Sequence, residues 1–257
     1  MNALRMGWFH VTEFAGNGYF IQLLATTTIG MVMLQALAAR APEVVAAGSS
    51  AAGYGLDWLR AGMLGTWTVC VVSMGMIGFE RYKGTLVHLV LTPLHVLKVL
   101  LPLLAAASVF GLLALPLAAV SSWALRQPVR IGAVFPTMIA ALVFWLACFA
   151  ISALIGMLFV LTPNAQTYEG LLGIPLVLVS GVFGTPAWLP DAVVVGSRIL
   201  PTRAAVELLG QVTAGLPLSA SLLIESVAGS LLWVIVTGFA ARVVVGRATK
   251  AGTLEVV

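Results

Sequence analysis

The sequence predicts an all-α, polytopic membrane protein with six transmembrane helices, and three observations carry that prediction. Apolar residues make up 61% of the chain and charged residues only 9%, against roughly 25% charged in a soluble domain. Charge-free runs of about 20 residues, the length that crosses a bilayer as a helix, recur from end to end. Between them lies no charged stretch large enough to form a soluble domain. A chain this poor in charge cannot cover a globular surface with polar groups, so its natural solvent is lipid. Lipid satisfies no free backbone group, which leaves helices or a closed barrel. Barrel strands would alternate over about ten residues. These runs are longer and apolar throughout, so they are predicted to be helices.

The elements follow in order. Within the first 18 residues, Met1, Leu4, Trp8, Val11 and Ala15 share one helical face, while Asn2, Arg5, His10 and Glu13 lie elsewhere and Phe9 breaks the pattern. This predicts a short helix lying in the membrane interface. The first span is predicted from Tyr19 to Ala38. It is longer than the roughly 7–15-residue apolar core of a secretory signal, which marks it as a permanent span. The second span lies within 61–79 and the third within 99–125. Residues 131–168 carry no charge, and Pro136 and Pro163 bracket a fourth span between them. The fifth lies within 170–190, and the sixth runs from about Leu222 to Ala241 with Glu225 near one end. Residues 1–257 read as a single domain without internal repeats.

Two connections are unusual. Phe79–Lys98 opens with charged residues and continues as an amphipathic stretch, with Leu86, Leu89 and Val90 close on one face and Gly84 and Pro93 as punctuation. Such a segment leaves the bilayer, runs along its surface and re-enters. Gly184–Ser221 is moderately apolar and broken by Pro186, Pro190, Pro201 and Pro217. It is too long for a plain turn, and it reads as short helical pieces at the membrane edge, with backbone ends covered by protein or water.

The chemistry the chain lacks narrows its function. There is no GxxxxGK[ST] phosphate loop; the nearest string, from Gly246 to Thr253, has the wrong spacing. The chain therefore does not hydrolyse ATP alone. No HExxH or GxSxG motif and no paired carboxylate occurs. The three histidines, His10, His88 and His95, fall near predicted membrane edges, as interface residues do. Cys70 and Cys148 sit inside apolar runs, where a free thiol packs as a small hydrophobe, and no metal spacing exists. The pI near 9.4 reflects a net charge of only +4, scattered along the chain, so no nucleic-acid patch is predicted. Ion-coupled transporters keep ionisable groups at the bilayer midplane. Here the span interiors are nearly free of them, and any transport would draw its energy from a partner.

Charge counting leaves the orientation open. If the termini are cytoplasmic, Arg5, Arg81, Lys83, Lys98, Arg242, Arg247 and Lys250 lie inside, and Arg40, Arg60, Arg126, Arg130, Arg198 and Arg203 outside. Seven against six is almost no bias under the positive-inside rule, although all three lysines fall inside.

The run Glu80-Arg81-Tyr82-Lys83-Gly84-Thr85-Leu86, followed by Thr92-Pro93-Leu94, resembles the pattern of ABC-2 type exporter permeases. The later stretch Ser180-Gly181-Val182-Phe183, Pro186–Pro190, Leu200-Pro201-Thr202 and Glu207 resembles that family's passage from its fifth span to its sixth. The two lie about a hundred residues apart in the right order, so with six spans the resemblance covers essentially the whole chain. It implies the transmembrane subunit of an ATP-driven exporter in the cell's inner or plasma membrane, with both termini cytoplasmic. Glu80–Leu94 would be a cytoplasmic coupling helix docking on a separate ATPase subunit, which binds the ATP and magnesium; this chain itself would hold no cofactor or metal. The coupling residues would be Glu80, Arg81, Lys83, Gly84, Thr85, Leu86, Leu89, Thr92 and Pro93, the charged ones pairing across the interface and Leu86 and Leu89 burying against the partner. Pro190, Pro201, Thr202 and Glu207 would belong to an outward broken hairpin between spans five and six. A second permease subunit, identical or homologous, would complete the path, and the lack of charge suits a hydrophobic or amphipathic cargo such as a drug or natural product, a lipid-linked glycan or a peptide. His95 and Lys98 stand where the family often has further charged residues after Thr-Pro-Leu. The rival readings are a secondary transporter or channel without an ATPase, which needs an intramembrane ion site, and a membrane enzyme or sensor, which needs a polar cluster or an extra soluble domain.

Overall fold

In a computed structural model, residues 3–39, 56–90, 96–160, 165–183 and 190–251 are described, and all their regular structure is helical. The helices are α1 (Ala3–Ala15), α2 (Gly18–Ala38), α3 (Asp57–Tyr82), α4 (Leu86–Val90), α5 (Val96–Val109), α6 (Ala114–Ala124), α7 (Val134–Phe159), α8 (Ala165–Val179), α9 (Asp191–Gly196), α10 (Pro201–Thr213) and α11 (Ala220–Ala251). Among the described residues, five helical stretches are long and apolar enough to cross a membrane: Gly18–Ala38, Asp57–Tyr82, Lys98–Ala124, Val134–Phe159 and Ala220–Val244. The chain is thus a membrane-spanning helical protein.

α3 is the axis of the bundle, packing against α2, α5, α6, α7 and α8. Its apolar length turns inward on nearly every side, so even Gly62, Gly65 and Thr66 are buried. α7 is the second scaffold. It packs on α3 and along α10, and makes its most extensive contact with α11. α11 itself is mostly uncovered within the chain, with Ile224, Leu231, Leu232, Ile235 and Phe239 exposed, as lipid-facing residues are.

Two apolar clusters define the ends of the bundle. Trp58, Ala140, Val143 and Phe144 pack with Leu208 and Leu209 of α10. Ile77, Leu86, Leu100, Phe149, Met157, Ala241 and Val244 pack together at the other end. The α9–α10 region therefore lies at the end of α7 opposite the turn between α3 and α4. Phe14 of α1 packs with Phe20, Met76 and Leu103, so α1 sits toward the same end as that turn.

The third span is not one continuous α-helix. Phe110–Leu113 form a 3-10 turn between α5 and α6. In lipid, such a break is tolerated only where neighbours satisfy the freed carbonyls. Thr66 Oγ1 donates to the Gly111 carbonyl at 2.8 Å, and Trp145 Nε1 donates to the Ser108 carbonyl at 3.0 Å. Gly111 is required by proximity: a Cβ there would stand 3.0 Å from the Thr66 backbone oxygen.

Two elements add detail that the sequence does not show. Within α1, one residue of the apolar face read from the sequence turns toward the bundle. Val11 packs inward with Phe14, whereas Trp8 is 70% exposed and Ala15 is exposed too. Phe14 wins because it reaches Phe20 and closes the α1–α2 corner, with ring centroids 5.1 Å apart. The expected fifth span, within 170–190, is represented by α8, whose 15 residues end at Val179 in the turn Ser180–Phe183. That helix is shorter than the ~20 residues of a plain crossing. It packs along α3, with Val177 in the main core.

Candidate functional site

The segment following α3 is built as a stiff corner. The Gly84 amide donates to the Arg81 carbonyl at 2.9 Å and the Thr85 amide to the Glu80 carbonyl at 3.0 Å. This is the Schellman pattern, which satisfies the last carbonyls of a helix and demands a left-handed residue after its cap. Gly84, at φ +74°, is that residue, and it has no Cβ to clash. The Glu80 side chain reinforces the corner: its Oε2 accepts from Thr85 Oγ1 at 2.5 Å, and its Oε1 lies 3.6 Å from Lys83 Nζ.

Arg81 and Leu86 fasten the corner to the bundle. Arg81 is buried, and its Nη2 donates to the carbonyls of Val160 (2.5 Å) and Phe159 (3.3 Å) at the C-terminus of α7. Those carbonyls lack intrahelical donors, and a cation there complements the helix dipole. Leu86 is fully buried among Ile77, Leu100, Phe149 and Met157. It therefore anchors α4 to the chain's own core. The family-based picture had both Arg81 and Leu86 facing a partner; the geometry turns both inward, because the buried carbonyls of α7 and the gap between α3, α5 and α7 claim them.

What remains outward is different. Tyr82 is 83% exposed, and Lys83, Gly84, Thr85 and His88 are exposed around it, with Leu89 half-buried. His88 is at the surface, as an interface residue is expected to be, whereas Tyr82 is the surface feature that reading the sequence missed; the one-residue step from Arg81 to Tyr82 moves a side chain about 100° around the helix. Thr92 and Pro93 lie outside the described residues.

The second candidate region follows its proline punctuation. Pro190 precedes α9 as its cap, Leu200 caps α10, and Pro201 occupies the first turn of α10, where its missing N–H costs nothing. Pro201 and Thr202 are buried, as are Ala205, Leu208 and Leu209 along one face of α10. The irregular backbone ahead of it is held by α11: Ser226 Oγ donates to the Pro201 carbonyl at 3.2 Å and Trp233 Nε1 to the Ile199 carbonyl at 3.0 Å. Glu207 is exposed and accepts from Gln211 Nε2 at 3.3 Å, one turn away. The corner residues and these residues of the α9–α10 region thus form two separate groups at opposite ends of the bundle. Among the described residues, no group of three or more His, Cys, Asp and Glu side chains converges on a metal-sized site. Comparison with known protein families, with curated proteins and with solved structures gave no match.

Proposed function

We propose that this chain is the transmembrane subunit of an ATP-driven exporter of the ABC-2 type, moved by a separate ATPase subunit that grips the corner after α3. The single observation that carries the reading is the stiffness of that corner. Its outer side presents Tyr82, Lys83 and His88, while Arg81 and Leu86 fix it to α7 and to the core. A push on such a surface reaches two scaffold helices at once, as a lever requires.

Six crossings belong to the same reading. α7 ends at the corner end of the bundle, and α10 packs at the other end. The stretch carrying α8 would therefore complete a fifth crossing, leaving both termini on the corner side, the cytoplasmic face of the cell's inner or plasma membrane. A second permease subunit would complete the path, and the cargo would be hydrophobic or amphipathic. ATP and magnesium would be bound by the ATPase partner.

The test is co-purification. With Tyr82→Ala and His88→Ala combined, an ATP-binding protein that accompanies the wild-type chain is lost, while the melting temperature in detergent stays within about a degree or two because both side chains are exposed. Undiminished association would overturn the docking role. Accessibility labelling that puts Lys83 and the C-terminus on opposite faces would overturn the topology.

A further inference from the structure

At the end of the bundle that carries α10, an open groove of about 420 Å³ runs between α3, α6 and α7, with Leu209 of α10 in its wall. The groove exists because small residues face it: Ala119 on α6 and Ala141 on α7 leave the space that larger side chains would fill. It opens away from the core, since Pro116, Val134, Met138 and Leu142 along it are exposed. Its lining on α7 runs from Val134 to Leu142, about 12 Å at 1.5 Å per residue. One leaflet contributes about 15 Å of hydrocarbon depth, so the groove matches a single leaflet.

Its polar groups are already satisfied. Trp58 Nε1 donates to the Arg130 carbonyl at 3.1 Å, and Thr137 Oγ1 donates to the Ala133 carbonyl at 2.9 Å. The walls therefore ask only for hydrocarbon. The rim is cationic. Arg130 directly precedes the lining residue Ile131 and is exposed, as is Arg126 in the same connection. Arg60, close in sequence to Trp58, is balanced by Asp57 at 3.5 Å, so the positive charge offered by the α6–α7 connection comes from its two arginines.

We propose that this groove binds one acyl chain of an anionic phospholipid from the leaflet at the α10 end, with the phosphate headgroup at Arg126 and Arg130. The occupant follows from the combination of an apolar slot one leaflet deep, no unsatisfied polar group within it, and positive charge at its mouth. The site is independent of the exporter reading and stands or falls separately from it.

The test is native mass spectrometry of the full chain in mild detergent, titrated with phosphatidylglycerol or phosphatidylcholine. One phosphatidylglycerol is retained per chain, preferred over phosphatidylcholine by about fivefold for each arginine that faces the headgroup. Arg126→Gln with Arg130→Gln brings the two lipids to parity. Ala141→Phe fills the slot and removes the bound lipid, without lowering the melting temperature of the lipid-free protein; Ala119→Leu does the same from the facing helix and serves if Ala141→Phe fails to fold. Equal retention of both lipids by the wild type, or bound lipid surviving either filling variant, overturns the proposal. A wild-type dimer that Ala141→Phe turns into a monomer, with lipid counts unchanged, would assign the groove to a second copy and overturn it as well.

Discussion

Removing the Arg81 guanidinium should loosen the corner end of the bundle more than any surface substitution. The side chain is 3% exposed and donates to two carbonyls at the end of α7, one at 2.5 Å and one at 3.3 Å. A hydrogen bond from a charged donor contributes about 1.5–3 kcal/mol. The shorter contact merits the upper part of that range and the longer one little. Truncation also takes from the buried carbonyls of Phe159 and Val160 the donor that Arg81 supplies. Arg81→Ala is thus expected to cost about 2–4 kcal/mol, roughly 30- to 1000-fold in the folding equilibrium. Arg81→Lys keeps a cation but loses the planar fork, and should cost less than half as much. The assay is reversible unfolding in mixed micelles of mild detergent and dodecyl sulfate, followed by circular dichroism. If Arg81→Ala unfolds within about 0.5 kcal/mol of the wild type, the range of an ordinary surface substitution, the fastening described here is wrong. Equal losses for Ala and Lys would show that the planar guanidinium itself, and neither a cation nor an aliphatic stem alone, holds α7.

Other substitutions probe the remaining joints. Gly84→Ala forces a β-carbon into a left-handed backbone where nothing else crowds it, so it should cost about 1 kcal/mol in the same unfolding assay. Gly111→Ala pushes a methyl to within 3.0 Å of the Thr66 backbone; about 1–3 kcal/mol is expected, as for other overpacked cores, and Thr66→Val should cost a similar amount by leaving the Gly111 carbonyl without its donor. Glu207→Gln removes a charge from an exposed side chain that accepts one long hydrogen bond from Gln211, and should change stability by less than about 0.5 kcal/mol.

The helical class and most spans were legible because hydrophobicity needs only length and composition to declare itself. Tyr19–Ala38 was read almost to the residue, and α2 begins one residue earlier, where Asn17 accepts the Tyr19 amide at 3.0 Å. The prolines marked true joints: Pro190 and Pro201 sit at the starts of α9 and α10. The sequence was silent on the 3-10 turn at Phe110–Leu113. Nothing in Phe-Gly-Leu-Leu announces it; the cause lies on two other helices, in Thr66 and Trp145. The direction of individual side chains at the corner was also hidden. Arg81 reads as a surface cation until the end of α7, 78 residues later, is placed against it. α1 shows the same limit on a smaller scale, since its apolar residues cover more than one face and only the neighbouring Phe20 selects Phe14.

Several polar side chains that reach from one helix to another act alike, and the pattern bears on function. Arg81 serves the end of α7, Thr66 and Trp145 serve the break in the third span, and Trp58 serves the Arg130 carbonyl. Ser226 and Trp233 serve the irregular backbone ahead of and at the start of α10. Each meets a carbonyl at a helix end or a break, where lipid offers no donor. A site that binds an ion would instead gather several such groups toward one another. Among the described residues these side chains are dispersed, one or two per irregularity, and their hydrogen bonds are directed at backbone. These side chains therefore act as mends in the helical framework, and two surfaces among the described residues stay free of that work: the exposed corner at one end and the cation-rimmed groove at the other.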